Sequence, residues 1–330
     1  MLVGMVGNLL TIIALVRCPR VRNVAAAFII SLCVADFLFC VLVLPFEASR
    51  FITGSWVHGD ILCRVVPLVR YGNVGVSLLC IAMITINRYI MIAHYGIYTK
   101  IYRPIWIGCM IIFCWLLSFG MQIPTFIGIW GTYSYDEKLR SCSIIEDEWG
   151  RSSKTALFMI GFVIPCLIIV CCYARIFWVV HSSETRMRKH SVANTGKEKR
   201  EAKAKKNEWR ITKMVLAIFL SFLVCYFPIT IIKIYDKKVL YPVLHVIAYL
   251  LLYMSACINP IIYVIMNHQY RQAYKTILMC KRPRLLSLTP GGSSYGGKCK
   301  EDSKTVVSQV SIALTPIRCH ELPELPDRHM

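Results

Sequence analysis

The sequence predicts an all-α membrane protein: a seven-transmembrane helix bundle with a short amphipathic eighth helix and a disordered C-terminal tail. Three observations carry this. Hydrophobic residues make up 56% of the 330-residue chain, more than an ordinary soluble domain uses. They fall into seven apolar runs, and most of these reach the roughly 20 residues a membrane-crossing helix needs. The charge is +20, from 38 Lys and Arg against 18 Asp and Glu, and it lies mainly between the runs. In a soluble chain this would point to nucleic acid. Between membrane spans it marks cytosolic loops instead, and no nucleic-acid partner is expected.

The runs justify themselves in order. Leu2 to Val16 is apolar but only about 15 residues long, short for a span, so the first helix is expected to be truncated at its N-terminal side. It has no basic start and no clear cleavage site, and Arg17, Arg20 and Arg22 follow it, which argues against a cleavable signal peptide. Ala25 to Phe46 is the second span, interrupted near its end by Pro45 and carrying Asp36. Cys63 to Tyr89 is the third. Pro104 to Trp130, Thr155 to Val180, Trp209 to Tyr235 and Val239 to Met266 complete the set, with a polar loop at Gly131–Ser153 and a basic loop at 181–208. Asn267 to Met279 is a short amphipathic segment, so residues 1–280 form the bundle and 281–330 a cytoplasmic tail rich in Gly, Pro, Ser and Thr.

The third span organises the rest. Steps of three and four place Arg70, Asn73, Ser77, Ile81, Ile84 and Arg88 near one face. Polar groups inside a bilayer are costly, so this face is expected to point into the bundle. Asn73 and Ser77 then either glue neighbouring helices together or belong to a site around Asp36.

Charge sets the orientation. The loops after spans one, three and five and the tail carry the basic clusters, and Arg186–Arg210 alone holds ten Lys or Arg against three Glu. The positive-inside rule puts these segments in the cytosol and the N-terminus outside. The same charge would also suit anionic membrane lipid. Of 16 cysteines only Cys63 and Cys142 fall at extracellular positions outside the spans; a disulfide between them is expected, since the cytosol is reducing. Cys280, just inside the seventh span, is a candidate for lipidation or an ordinary thiol.

The motifs, taken together, resemble the rhodopsin-like (class A) family of G-protein-coupled receptors. They stand as Gly7-Asn8 in span one, Leu32–Asp36 in span two, Asn87-Arg88-Tyr89 ending span three, Trp115 in span four, and Pro165 and Tyr173 in span five. Phe222, Cys225, Tyr226 and Pro228 follow in span six and Asn259-Pro260 with Tyr263 in span seven. Each is weak alone; the ordered set on the matching spans is specific. Asn87-Arg88-Tyr89 and the following His94-Tyr95-Gly96 are similar to insect receptors of the trapped-in-endoderm and Moody type.

The resemblance implies a set of roles. Arg88 would couple to a heterotrimeric G protein, with Glu208 at the inner start of span six as its ion-pair partner in the resting state. The family usually has an acid before this arginine; Asn87 cannot supply that charge, so raised basal signalling or altered partner choice is expected. Tyr173 and Tyr263 would swing inward on activation, and Phe222, Tyr226 and Pro228 would form the hinge of span six. Asp36 with Asn8, Asn73, Ser77, Ser255 and Asn259 would hold an allosteric sodium ion, or Asp36 would be protonated or bridged by water. No other cofactor is implied. Arrestin and a receptor kinase would act on Ser and Thr of the tail.

The ligand is outside and unidentified. Arg70 stands near the outer surface where amine receptors have aspartate, so either it binds an acidic or lipid-like ligand or it pairs with Glu47. Trp56, Tyr226 and Tyr253 are the other candidates for the pocket. Tyr253 stands where retinal-binding relatives have lysine, which disfavours a visual pigment. The competing class is a transporter or channel with a polar core, but the spans do not divide into two repeats. No nucleophile–base set converges within the spans, so an enzyme is not expected.

Overall fold

The computed structural model describes residues 1–18, 23–188, 196–236 and 239–279, with side chains described outside 182–208 and 234. Six of its helical segments are long and apolar enough to cross a membrane, and the first helix, α1 (Leu2–Arg17), is a shorter apolar one. Its buried residues, Gly4, Asn8, Thr11, Ala14 and Leu15, recur at helical spacing, the stripe expected of a helix with one face against a core.

Helix α2 (Val24–Leu42) starts at Asn23, whose side chain accepts a hydrogen bond from the Ala26 N–H at 2.8 Å. Such a cap satisfies one of the donors a helix start leaves over. The break the sequence places near Pro45 is present, since α2 ends at Leu42, but Pro45 itself does not stop the crossing. It sits in the first turn of α3 (Leu44–Thr53), where its missing N–H costs nothing. The second crossing therefore continues to Gly54, whose φ of 73° closes the helix. That extension carries Glu47 and Arg50 into the protein, both buried.

Helix α4 (Gly59–Ala93) is the central span, 35 residues long. Arg70, Asn73, Ser77, Ile81, Ile84 and Arg88 are all buried, as the periodicity required. On another side, α4 meets α6 (Pro104–Gly120) closely: a Cβ at Gly72 would lie 2.5 Å from the Phe119 ring. Between them α5 (Tyr95–Ile101) is a short helix in the connection. Helix α7 (Ile123–Phe126) finishes the fourth crossing.

The polar stretch after it is more than a loop. Thr132–Asp136 (β1) and Ser141–Ile145 (β2) pair antiparallel, with Tyr135 opposite Cys142. Asp136 Oδ1 accepts the N–H groups of Lys138 and Leu139 and so builds the turn. The disulfide Cys63–Cys142 ties this hairpin to the top of α4.

The fifth crossing runs through α8 (Lys154–Phe158), a π-helical turn at Met159–Val163, and α9 (Ile164–Arg188). The wide turn precedes Pro165, which lacks an N–H and crowds the carbonyl four residues back. Helix α10 (Gly196–Tyr235) begins thirteen residues before the predicted sixth span, and α9 likewise outlasts the fifth. Most of the expected 181–208 loop is thus helical backbone, because the Lys, Glu and Ala of this stretch are strong helix formers. Helix α11 (Pro242–Met266) contains Pro260, and α12 (His268–Leu278) is the amphipathic segment.

Candidate functional site

The buried face of α4 strings three polar clusters along the bundle. At its inner end Arg88 is 2% exposed. Its Nη2 donates to the Asn87 amide oxygen at 3.1 Å, and Asn87 Nδ2 in turn donates to the Tyr98 hydroxyl at 3.4 Å. Asn87 thus hands Arg88 on to α5 with an amide in place of a carboxylate. Tyr89 points elsewhere and pairs with His94 at 3.0 Å. Tyr173 donates to the Thr212 carbonyl at 3.1 Å and links span five to span six. Tyr263 is fully buried, its ring 5.6 Å from that of Tyr270. The Glu208 side chain and Cys280 lie outside the described residues.

In the middle, Asp36 is buried and bonded on both oxygens: Ser77 Oγ donates to Oδ1 at 3.2 Å and Asn259 Nδ2 to Oδ2 at 2.7 Å. Asn8 instead joins α1 to α11 through the Ala256 carbonyl at 2.8 Å. Ser255 donates to the Leu252 carbonyl at 2.7 Å and to the Tyr226 hydroxyl at 3.3 Å. A small cavity lies here, lined by Asp36, Ser77, Tyr226, Ser255 and Asn259 among others. Phe222 and Tyr226 stack with centroids 4.0 Å apart, one turn before Pro228 in α10. Both amide atoms of Asn73 are buried without a hydrogen bond among the described residues. An orphaned amide oxygen costs free energy unless something occupies it. The Asp36 carboxylate and the Ser77 hydroxyl bonded to it are oxygen donors of the kind a hard cation such as sodium takes.

At the outer end, Glu47 gathers three donors. Arg70 Nη1 reaches Oε1 at 2.8 Å, Arg50 Nε reaches Oε2 at 2.9 Å and the Tyr253 hydroxyl reaches Oε2 at 2.7 Å. Arg70 also donates to the Cys142 carbonyl at 2.8 Å and Arg50 to the Leu139 carbonyl at 3.4 Å. The cluster therefore ties spans two, three and seven to the hairpin. Of the residues assigned to a ligand pocket from sequence, Arg70, Glu47 and Tyr253 come together here. Tyr226 does not; it lines the cavity beside Asp36. Trp56 packs on Phe46 and His58 at the entrance of α4. Arg50 escaped the sequence reading, although its place three residues after Glu47 on a helix was a usable signal.

The comparisons agree with this geometry. The family described as 7 transmembrane receptor (rhodopsin family) matches residues 7–263. The chain is 53% identical to the G-protein coupled receptor moody of Drosophila melanogaster over 94% of this chain and 56% of that one. It is 40% identical to protein trapped in endoderm-1 of the same fly, over 83% of this chain and 74% of the relative. It thus spans less than two thirds of the moody receptor's length. The crystal structure of squid rhodopsin superposes with a TM-score of 0.74 at 27% identity, over 84% of this chain and 83% of that one. The helical order, the central helix with its buried polar face and the matched 7–263 region place this chain in the rhodopsin family of seven-transmembrane receptors.

Proposed function

We propose that the protein carries the signal of an extracellular ligand to heterotrimeric G proteins. It does so from the plasma membrane, with its N-terminus outside and its C-terminus in the cytosol. The observation that carries the reading is Arg88, buried at the inner end of α4 and held by Asn87. A buried cation beside a helix–helix link such as Tyr173–Thr212 is an element with two arrangements, one closed and one open to a partner. A ligand that binds the open arrangement better shifts the population toward it.

Sodium, when bound, supplies a positive charge beside Asp36 that favours the closed arrangement. The residues that would hold it are Asp36, Ser77 and Asn73, with Ser255 and Asn259 alongside. The outer cluster receives the ligand, which is acidic or lipid-like. Arrestin and a receptor kinase read the tail, and membrane lipid meets the basic cytosolic segments. The biological role is guidance of migrating cells or organisation of epithelial and glial barriers, as the insect resemblance implies.

The test is basal nucleotide exchange on a panel of G proteins, comparing this chain with Arg88→Ala. Exchange that the substitution abolishes supports the reading and identifies the subtype. Ligand-independent solute flux with no exchange on any G protein would overturn it in favour of a transporter.

A further inference from the structure

Charge at the outer end of the bundle does not balance. Spans two, three and six bring Arg50, Arg70 and Lys233 there, and among the described residues Glu47 is the single carboxylate bonded to any of them. Both Glu47 oxygens are already engaged. Arg70 is spent on Glu47 and the Cys142 carbonyl. Arg50 is not. Its side chain is 7% exposed, its Nη1 makes only the long 3.4 Å bond to Leu139, and its Nη2 is buried without a hydrogen bond among the described residues.

A second cation approaches the same aromatic ring as Arg50. The Lys233 ammonium lies 5.2 Å from the centroid of Tyr249, and the Arg50 guanidinium lies 5.6 Å from the same centroid. The Tyr249 hydroxyl is itself buried and has no hydrogen bond of good geometry among the described residues. Asp236, three residues after Lys233, is occupied by the N–H groups of Leu240 and Tyr241 and by His245. Arg50 is thus bonded to Glu47 through Nε alone, and among the described residues neither its Nη2 nor the Lys233 ammonium beside the same ring has a bonded anion. Phe51, 4.2 Å from the Arg50 guanidinium, and Tyr253, 6.0 Å from Tyr249, add aromatic walls. Burying a charged donor without a hydrogen-bond partner is costly, and an anionic group whose oxygens accept from Arg50 Nη2 and from the Lys233 ammonium offsets that cost.

We propose that Arg50, Lys233 and Tyr249 form the head-group subsite for an amphiphilic monoanion, a carboxylate or phosphate monoester on an apolar body. Arg70 holds Glu47 and the hairpin in place and does not meet the ligand. This deepens the receptor reading, on which it rests for its meaning but not for its measurement.

The test uses the full chain in phosphatidylcholine nanodiscs, with unfolding followed by tryptophan fluorescence. Dodecanoate, dodecyl phosphate and dodecanol are the probes. At least one of the two anions should raise the unfolding temperature saturably, and dodecanol should not; the anion that does so distinguishes carboxylate from phosphate recognition. Arg50→Gln and Lys233→Gln should each raise the half-saturating concentration about tenfold or more, as loss of a charge-assisted hydrogen bond does. Lys233→Arg should retain binding, and Lys213→Gln, on the cytosolic half, should leave it unchanged. Stabilisation by dodecanol equal to that by the anions, no response to either anion, or binding indifferent to both Gln substitutions, would overturn the proposal. Nucleotide exchange is scored separately. Anion binding without exchange would count against the receptor reading alone, and exchange without anion binding against this subsite alone.

Discussion

The Arg70 guanidinium lies 2.8 Å from the Glu47 carboxylate, and both side chains are 3% exposed. The most conspicuous cation of the outer bundle is therefore compensated from within. Removing one partner of a buried pair leaves the other charge stranded, which costs about 3–5 kcal/mol. Glu47→Gln strands Arg70 and Arg50 together. It is expected to lower stability by about that amount, read as faster thermal inactivation of the receptor in detergent. A loss under about 1 kcal/mol would mean that water already screens the cluster.

Asn87 holds Arg88 through a neutral acceptor at 3.1 Å. Charge-assisted hydrogen bonds are roughly twice as strong as neutral ones. Asn87→Asp is expected to strengthen the closed state by ~1 kcal/mol and cut basal nucleotide exchange about threefold to tenfold. Unchanged basal exchange would show that the amide already restrains Arg88 as well as an acid does.

Asp36, bonded by Ser77 and Asn259, is the centre of the proposed cation site. Sodium chloride should stabilise the protein relative to choline chloride, by about 1.4 kcal/mol at roughly ten times the dissociation constant. Asp36→Asn should abolish the difference. A sodium effect that survives the substitution would place the ion elsewhere.

The Cys63–Cys142 bond closes a loop of 79 residues in sequence and anchors the hairpin that accepts from Arg70 and Arg50. Cys63→Ser should cost about 2–5 kcal/mol and reduce cell-surface expression. Cys142→Ser should match it, since each leaves the same half-bridge.

Asp236 lies outside the spans in the turn before α11. Its partial desolvation opposes the charge, but the N–H groups of Tyr241 and Leu240 and the His245 ring outweigh it and hold the carboxyl below the usual range. A carboxyl lowered on folding adds stability that is complete above its unfolded value, about 3.9, and is lost as pH falls through the lowered folded value. Asp236→Asn should therefore be less stable than the parent at pH 7. That difference should shrink only as the pH falls below about 4. A gap that closes already between pH 7 and 5 would assign the effect to another group.

Much of this was legible in the residues. Runs of apolar sequence located the crossings, and steps of three and four along α4 named the buried set from Arg70 to Arg88. The side of the membrane singled out Cys63 and Cys142, which the structure joins. These are local properties: a helix fixes which of its own residues share a face, whatever surrounds it.

Tertiary structure decided which faces meet. Pro45 marks a break that the sequence also suggests, but only the packing shows that α3 resumes the crossing there and carries Arg50 inside. Lys233 on α10 and Tyr249 on α11 reach the same place as Arg50 only because the helices pack with a given rotation and depth. Packing likewise put Tyr226 beside Asp36 and apart from Arg70. The sequence by itself determined the spans, the polar axis of α4 and the family. The partners across the bundle were set by side-chain packing between helices, and the period of a single helix carries no record of it.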